Sequence, residues 1–197
     1  MNLEKNKREA REKAELQRKE VHEKIAVSAS RKVASLLEKF LQKDKRADSI
    51  TTVAAYISIK TELNLQPSIE SLIRLGKRVC LPIIVDQNQP LIFKEWDGKR
   101  KLIRGKFNVP VPTSRFSIEP DLLICPLLSY DSAGFRLGYG GGFYDRTIAS
   151  LQSKKKTVLT LGCGYSEQLS KKMLPINEYD KRLNAVITEK GLFFFCK

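Results

Sequence analysis

The chain has 197 residues, of which 42% are hydrophobic and 29% charged, and its formal net charge is +14. This composition is typical of a folded protein, and the length predicts one domain over residues 1–197 that buries a core without disulfides or structural metals. No apolar run approaches the ~18 residues of a membrane span and the first twenty residues are charged throughout, so we expect no transmembrane helix, no secretory signal and a soluble, cytoplasmic protein.

The basic excess predicts an anionic partner, but the charge alone does not choose among a phosphorylated cofactor, a poly-acidic substrate and nucleic acid. Nucleic acid is disfavoured, because no known RNA- or DNA-binding motif accompanies the charge. The four cysteines, Cys80, Cys125, Cys163 and Cys196, lack CxxC spacing and are expected to be reduced and structural. With His22 as the single histidine, the sequence offers neither a His/Cys zinc cluster nor a Ser-His-Asp triad.

The first 45 residues are predicted to form a helical segment. Residues 3–43 contain no proline or glycine and are rich in strong helix formers. The serines within residues 27–30 predict a division into two helices, with Ser28 or Ser30 as the N-cap of the second. The first of these helices is so charged that we expect it to lie outside the core.

The next part of the chain alternates strand and helix patterns. Residues 50–58 are β-branched and aromatic and predict a buried strand. A short helix follows, which we expect Ser68 to cap. Residues 79–85 predict a second strand in which Pro82 indicates an edge position or a local break, and residues 90–96 should pair with it as a hairpin arm.

The second half of the chain continues the alternation. Residues 121–128, DLLICPLL, form an apolar run typical of a strand that is covered on both faces. A helix over 143–151, a strand over 157–163, a short helix over 166–173 and a last strand over 184–188 complete the pattern. This order predicts a layered α/β/α domain with a largely parallel sheet and the N-terminal helical segment packed outside it.

A glycine-rich stretch lies between the strand at 121–128 and the helix that begins near Phe143. Residues 136–146 read RLGYGGGFYDR, and four of the five positions 138–142 are glycines. The order strand, glycine loop, helix directs backbone N–H groups and the positive end of a helix dipole toward a phosphate at the carboxyl end of a strand. The spacing matches neither a Walker loop nor GxGxxG, and a tight structural turn with core aromatics stays open as the alternative.

Charged residues accompany this stretch. Asp145 either complements the helix dipole or supplies a carboxylate to the magnesium ion that accompanies phosphates, and spacing does not separate the two roles. Arg136 and Arg146 bracket the loop and could clamp phosphate oxygens, although each taken alone is also typical of a surface arginine.

The stretch RLGYGGGFYDR resembles the signature of the 5-formyltetrahydrofolate cyclo-ligase family in its bacterial form. The resemblance covers essentially the whole chain. The N-terminal KREAR at residues 7–11 is similar to the family's Lys-x-x-Leu-Arg element, with Ala10 in place of the usual leucine. Residues 56–62, the segment around Trp96, residues 108–112 and residues 175–191 follow in the family's order.

The resemblance implies an ATP- and Mg²⁺-dependent closure of 5-formyltetrahydrofolate, with or without a polyglutamate tail, to 5,10-methenyltetrahydrofolate, with release of ADP and phosphate. Such an enzyme is expected to act as a monomer on small molecules. Carried over residue by residue, the implied ATP-binding residues are Lys7, Arg8, Arg11, Arg136, Leu137, Gly138, Tyr139, Gly140, Gly141, Gly142, Phe143, Tyr144 and Arg146. The implied folate contacts are Ile57, Glu62, Tyr139, Gly140, Gly141, Gly142 and Phe143. Asp145 and Asp180 are implied for magnesium, and Arg136, Tyr144 and Asp145 for catalysis.

The sequence departs from the family pattern near its C-terminus. The family often has a His-Asp pair followed by a second acid, whereas here Tyr179 precedes Asp180 and Asn184 stands at the later position. Asp180 therefore keeps a second interpretation, as a loop aspartate that caps a turn.

Two rival functions stay open at this stage. One is a relative without catalytic activity that binds a nucleotide or RNA through its basic surface. The other is a small-molecule kinase or ligase of the same fold that acts on a different substrate.

Overall fold

The structure is a computed structural model that describes residues 3–154 and 157–196. Its α-helices are α1 (Leu3–Lys43), α2 (Gln66–Arg74) and α3 (Phe143–Ser153). In chain order, the strands are β1 (Thr52–Ala54), β2 (Arg78–Ile83), β3 (Ile92–Glu95), β4 (Ile103–Arg104), β5 (Pro110–Val111), β6 (Leu122–Pro126), β7 (Ser129–Tyr130), β8 (Arg136–Leu137), β9 (Leu159–Cys163), β10 (Ala185–Thr188) and β11 (Gly191–Phe194).

The main sheet has seven strands in the order β11-β10-β9-β6-β1-β2-β3. Its five central strands run parallel, from β10 through β9, β6 and β1 to β2. Both edges are closed by antiparallel neighbours, β11 on β10 and β3 on β2. The predicted α/β architecture with a largely parallel sheet is therefore confirmed.

The central strand β6 separates two apolar cores. Leu122 and Ile124 face the core that contains residues of α1 and α2. Leu123 and Cys125 alternate to the other face, where they join Ile148 of α3 in the second core. The continuous apolar run therefore has the two covered faces that the sequence predicted.

Helix α1 is continuous, and the predicted division at residues 27–30 is wrong. The hydroxyl of Ser28 donates to the carbonyl of Ile25 at 3.0 Å, which satisfies it without ending the helix. Ala29 and Ser30 are buried at 0% and 3% exposure, so tertiary packing holds this turn in the helix. Although α1 is long, none of the helices within the described residues has an apolar stretch sufficient to cross a membrane.

Helix α2 begins earlier than predicted, and Ser68 is not its cap. The helix starts at Gln66, with Pro67 in its first turn, where proline's missing N–H costs nothing. The Ser68 hydroxyl is buried and has no hydrogen-bond partner within residues 3–154 and 157–196. Proline therefore sets this helix start, and the serine lies inside the helix.

The proline in β2 occupies a local edge. Strand β1 pairs with β2 only as far as Cys80, while β3 continues along β2 to the pair Ile83 and Ile92. Pro82 thus lies where β2 has a ladder neighbour on one side, which a residue without an N–H tolerates. The edge position, one of the two alternatives predicted for Pro82, and the hairpin arm at 90–96 are confirmed, and β2 runs through Pro82 without a break.

Strand β1 is much shorter than the predicted strand at 50–58. After Ala54, residues 55–65 leave the sheet, and the hydroxyl of Tyr56 donates to the carbonyl of Leu63 at 3.0 Å within this segment. The early end of β1 brings the next residues over the carboxyl end of the sheet. Glu62 reaches the functional site by this route.

The helix predicted at 166–173 is wrong beyond its first turn. Only Ser166–Gln168 is helical, as a 3-10 turn. The N–H of Ser170 donates to the carbonyl of Tyr130 at 2.7 Å, and this contact with β7 replaces the next helical bond. The sequence also missed β11, so the strand at 184–188 is not the last.

Candidate functional site

A cavity of about 540 Å³ opens where β6 ends. Its walls come from residues 126–128, the glycine loop at 138–142, the first turn of α3, the N-terminal turns of α1 and residues 175–181. All the site residues that the sequence predicted line this cavity, except Arg8 and Ile57. Elements that are far apart in the chain therefore meet at the carboxyl end of the parallel sheet, where α/β proteins bind ligands.

The glycine loop is folded in a way that other residues would not permit at two positions. Gly140 and Gly142 have φ angles of +96° and +65°. A Cβ at Gly140 would lie 3.1 Å from the guanidinium carbon of Arg11, whose Nε donates to the carbonyl of Gly138 at 3.1 Å. The loop therefore needs glycine both for its backbone and for the close approach of an arginine from α1.

The loop ends directly at the start of α3. Gly142 is the N-cap of this helix and provides no side-chain cap. The first N–H groups of an α-helix lack partners within the helix, and they carry the positive end of its dipole. Because the first turn of α3 also lines the cavity, these groups have the arrangement from which the sequence predicted an anion site, and anion binding there stays a prediction.

Arg146 links the glycine loop to a second loop. Its Nη2 donates to the carbonyls of Gln87 and Gly141, both at 2.7 Å, and its Nε donates to the carbonyl of Gln89 at 3.4 Å. In this conformation the guanidinium fixes the position of the loop rather than presenting its full fork to the cavity.

Lys7 and Asp180 form an ion pair across the cavity. Their Nζ and Oδ2 atoms are 2.6 Å apart, and the lysine side chain is only 7% exposed. The same carboxylate oxygen accepts the N–H of Asn177 at 2.7 Å. The pair joins the first turns of α1 to the segment 175–181, which lies more than 170 residues further along the chain.

Arg136 and Asp145 form a second ion pair in the same cavity. Nη2 of Arg136 is 3.1 Å from Oδ1 of Asp145, and the arginine side chain is 4% exposed. Lys181 completes the arrangement, because its N–H donates to Asp145 at 2.9 Å and its carbonyl accepts from Arg136 at 3.0 Å. Each carboxylate that the sequence assigned to magnesium is therefore held by a cation and a backbone N–H.

These carboxylates fit a magnesium ion that a phosphate ligand helps to hold. Within the described residues, no group of three His, Cys, Asp or Glu side chains could bind a metal by itself. Asp145 and Asp180 nevertheless line one cavity together with the anion-binding first turn of α3. Mg²⁺ is commonly bound by one or two carboxylates plus substrate phosphates, so this donor set suits the ion in the company of a nucleotide.

Glu62 also lines the cavity. It is 4% exposed, and its carboxylate accepts the N–H of Ile59 at 2.9 Å. Burial raises the pKa of Glu62 to about 7, although the Ile59 N–H and the charges of Arg18 and Lys60 oppose the rise. Its carboxyl group can therefore gain or lose a proton near neutral pH.

Two tyrosines of the signature stretch also line the cavity. Tyr139 is 42% exposed, and its hydroxyl accepts a hydrogen bond from Arg18. Burial raises the pKa of Tyr139, which the bond from Arg18 partly offsets, and burial raises the pKa of Tyr144 well above its usual range. Both side chains therefore carry neutral phenols near pH 7.

Two predicted site residues lie outside the cavity. The side chain of Arg8 is 69% exposed and is 4.0 Å from Glu12. It lines a separate shallow pocket with Glu4, Lys5 and Arg11. Ile57 packs against the main apolar core.

Residues that the sequence did not assign also line the cavity. Some of them lie in the segment 175–181, among them Asn177, Tyr179 and Lys181, and the others are Glu4, Pro126, Leu127, Leu128 and Ala149. The signal for the segment 175–181 was its closeness to Asp180 and its place within the family-like residues 175–191. Asn184, the departure from the family pattern, does not line the cavity, because its Oδ1 accepts from the N–H and hydroxyl of Thr160 at 2.8 and 2.7 Å and links β9 to the start of β10.

Comparison with known proteins gives one consistent result. The sequence model of the 5-formyltetrahydrofolate cyclo-ligase family matches residues 3–189. A 5-formyltetrahydrofolate cyclo-ligase of Escherichia coli K12 is 38% identical over 147 residues, which is 70% of this chain and 77% of the relative. Among solved structures, the 5,10-methenyltetrahydrofolate synthetase of Aquifex aeolicus superposes with a TM-score of 0.73 at 23% identity, over 97% of this chain and 93% of the other. The 5,10-methenyltetrahydrofolate synthetase of Mycoplasma pneumoniae superposes with a TM-score of 0.66 at 22% identity, over 89% of this chain and 98% of the other.

Proposed function

The chain belongs to the 5-formyltetrahydrofolate cyclo-ligase family, and from this premise we propose how its cavity converts 5-formyltetrahydrofolate to 5,10-methenyltetrahydrofolate with ATP as co-substrate. The observation that carries the proposal is a single cavity lined by the backbone of the glycine loop and the first turn of α3, which we call the nucleotide end, and also by Glu62 and the ring of Tyr139, which we call the folate end. These two ends suit a triphosphate and a folate that must meet.

The reaction needs activation of a poor leaving group. The formyl oxygen on N5 attacks the γ-phosphorus of ATP, which releases ADP and leaves a phosphorylated formyl group. N10 then attacks the activated carbon, the C–O bond breaks, phosphate departs with the former formyl oxygen, and N10 loses its proton. The protein's part is to align the two substrates and to stabilise the charge that develops, as in other phosphoryl transfers.

The nucleotide end would hold the triphosphate. Lys7 and Arg11 are four residues apart on α1 and both line the cavity beside the glycine loop. Arg136 and the N–H groups of the first turn of α3 line the same cavity and would add their charge and dipole. Lys7 is already bound to Asp180, so nucleotide binding would exchange one anionic partner of this lysine for another.

Magnesium would be held by Asp145 and Asp180 and would screen the charge of the phosphates. When no metal is bound, Arg136 and Lys7 neutralise these two carboxylates. The residues fit the ion because Asp145 and Asp180 line one cavity. Their present partners, Arg136 and Lys7, would then be able to bind the phosphates instead.

The folate end would hold 5-formyltetrahydrofolate. Tyr139 and Phe143 offer aromatic surface to the flat pterin, and Glu62 offers a carboxyl group that titrates near pH 7. We place Glu62 within reach of N10, where it can take up the proton that this nitrogen releases. Ile57 would contribute only by supporting this wall from the core.

The decisive experiment is a turnover assay with purified protein, 5-formyltetrahydrofolate, ATP and Mg²⁺. We expect the long-wave ultraviolet absorbance of the methenyl product to rise together with an equimolar release of phosphate. Reactions that lack ATP or Mg²⁺ are the matched controls, and their absorbance should not change. Saturating substrates that give no absorbance change would contradict the proposal, and ATP consumption with a different acceptor would favour another ligase or kinase of this fold.

The basic surface calls for one further control. If RNA shifts the protein on a gel in a salt-sensitive way while no turnover occurs, a nucleic-acid-binding relative without catalysis becomes the better explanation. We also propose that the chain is a single cytoplasmic domain and acts as a monomer, which size-exclusion chromatography with light scattering tests.

A further inference from the structure

Arg18 is a charged residue that the proposed chemistry does not use. It lies on α1, and it is 1% exposed, which places it among the largest fully buried side chains of the described chain. Arginine is seldom buried to this extent unless its N–H groups have partners, because an unpaired buried charge is costly. The burial of Arg18 therefore raises the question of what its guanidinium holds.

The guanidinium binds three separate segments of the chain. Its Nε donates to the hydroxyl of Thr61 at 3.1 Å, its Nη1 donates to the carbonyl of Leu127 at 3.2 Å, and its Nη2 donates to the hydroxyl of Tyr139. Thr61 precedes Glu62, Leu127 follows β6, and Tyr139 lies in the glycine loop. Arg18 thus connects the three parts of the chain that form the folate end of the cavity.

The surroundings of Tyr139 strengthen this connection. The guanidinium carbon of Arg18 is 5.4 Å from the centroid of the Tyr139 ring, and the ammonium of Lys60 is 5.0 Å from it. Lys60 has a φ of +51°, a left-handed conformation that is costly for a residue with a Cβ, and it forms an ion pair with Glu15 at 2.7 Å. Two cations from different segments therefore fix the plane of one exposed aromatic ring.

We infer that Arg18 is a positioning residue for the folate, which holds Tyr139 and the Glu62 segment at a fixed separation. This inference rests on the proposed function. Arg18 does not line the cavity itself, so it acts through the hydroxyls of Tyr139 and Thr61. None of these three bonds goes to Arg11, Arg136 or the first turn of α3, and Arg11 lies two helical turns away, so we expect the groups proposed for the triphosphate to be little affected.

The test separates the Michaelis constants of the two substrates in the variants Arg18→Met and Arg18→Lys. Methionine fills most of the volume but donates no hydrogen bond. We expect Arg18→Met to raise the KM for 5-formyltetrahydrofolate by about tenfold or more and the KM for ATP by less than about twofold. Arg18→Lys should restore only part of the loss, because one ammonium does not reproduce a planar fork that serves three acceptors.

A milder variant covers the case in which Arg18→Met does not fold. Tyr139→Phe deletes only the hydroxyl that Arg18 binds, and we expect it to raise the KM for the folate by about threefold or more. If Arg18→Met folds, its effect and that of Tyr139→Phe should be less than multiplicative in the double variant, because both break the same contact. The matched control is Tyr165→Phe, which deletes a buried hydroxyl bound to His22 one turn further along α1, at 2.9 Å and outside the cavity.

The outcomes are distinguishable. If wild-type protein turns over but the variants raise both KM values equally, or lower the melting temperature while both KM values stay unchanged, Arg18 is structural and the inference is overturned. Unchanged kinetics of Tyr139→Phe overturn it as well. Absence of wild-type turnover contradicts the proposed function itself, and the inference then falls with it.

Discussion

The two ends of the cavity use charge in opposite ways. At the proposed nucleotide end, Lys7 binds Asp180 and Arg136 binds Asp145 in direct ion pairs of 2.6 and 3.1 Å. At the proposed folate end, Glu62 and Arg18 are buried at 4% and 1% exposure, and none of the ion pairs found in the described residues joins them. The charges that line the first end are therefore paired directly, whereas Glu62 and Arg18 at the second end are not paired with each other.

This difference gives the two ends different properties. Paired charges can exchange partners when a phosphate or metal ion arrives, because each partner already has the sign that the ligand requires. Buried charges without a charged partner cannot exchange one partner for another. Burial instead raises the pKa of Glu62, and the hydrogen bonds of Arg18 hold Tyr139 in position. We therefore expect substitutions at the first end to change nucleotide and metal dependence, and substitutions at the second to change pH dependence and folate affinity.

The largest effect should come from Asp145, because it serves both the ion pair and the proposed metal. Asp145→Asn keeps the shape but removes the charge, and we expect turnover at saturating substrates to fall by about 10²- to 10³-fold. The activity that remains should need more Mg²⁺ for half-saturation. A titration of turnover with Mg²⁺ measures both quantities.

Glu70→Gln, an exposed acid on α2, is the matched control and should behave as wild type. Wild-type turnover of Asp145→Asn across the magnesium titration would remove Asp145 from the metal site. The nucleotide end would then consist of structural ion pairs only, and the contrast between the two ends would lose its functional meaning.

The second prediction concerns the loss of folding stability that the ionisation of buried Glu62 causes as the pH rises. Its native pKa is raised from 4.5 to about 7, so the native protein binds this proton more tightly than the unfolded chain does. The free energy of unfolding should therefore decrease as the pH rises from about 4.5 through 7. Glu62→Gln stays neutral, and above pH 7 it should be more stable than wild type by on the order of 3 kcal/mol.

Urea unfolding at pH 4.5 and pH 8 measures this difference. The advantage of Glu62→Gln should be small at the lower pH and full at the higher one, whereas Glu70→Gln should show no such change. An advantage that is equal at both pH values would mean that Glu62 is not desolvated, and the two ends would then be more alike than their exposures indicate.

Much of the fold could be predicted because its signals are local. The apolar run of β6 and the glycine loop before α3 need only their own residues to be recognised. The wrong predictions depended on tertiary contacts: the burial of Ala29 keeps α1 continuous, and the bond from Ser170 to Tyr130 stops a helix that the sequence allows. Propensity does not contain these contacts, and it is overridden where they form.

The site was predictable to a different extent at its two ends. The charged residues proposed for the nucleotide end were predicted from the signature stretch, from the pair Lys7 and Arg11, and from the resemblance of the segment around Asp180. The part played by Arg18 was missed, although it follows Arg11 by seven residues on the same face of α1. Its three acceptors come from segments that are 43, 109 and 121 residues away, and only the folded chain brings them together.

A third and smaller effect should follow the loss of Lys7. Lys7→Met removes a charged hydrogen bond to phosphate, and we expect the KM for ATP to rise by about 10- to 30-fold, which corresponds to roughly 1.5–2 kcal/mol. The KM for the folate should change little. Lys13→Met, an exposed lysine of the same helix, is the control. A parallel rise in both KM values would show that the pair with Asp180 mainly holds α1 in place.

The smallest effect is expected at Arg8, next to Lys7 in the chain. Adjacent residues on an α-helix point about 100° apart, so the two cations do not share a face. The side chain of Arg8 is 69% exposed, whereas that of Lys7 is 7% exposed and directed at Asp180. Arg8→Met should therefore raise the KM for ATP by less than about twofold at physiological salt, because exposed charges are screened. A loss as large as that of Lys7→Met would mean that α1 turns when the nucleotide binds, and the paired charges of this end would then describe only its resting state.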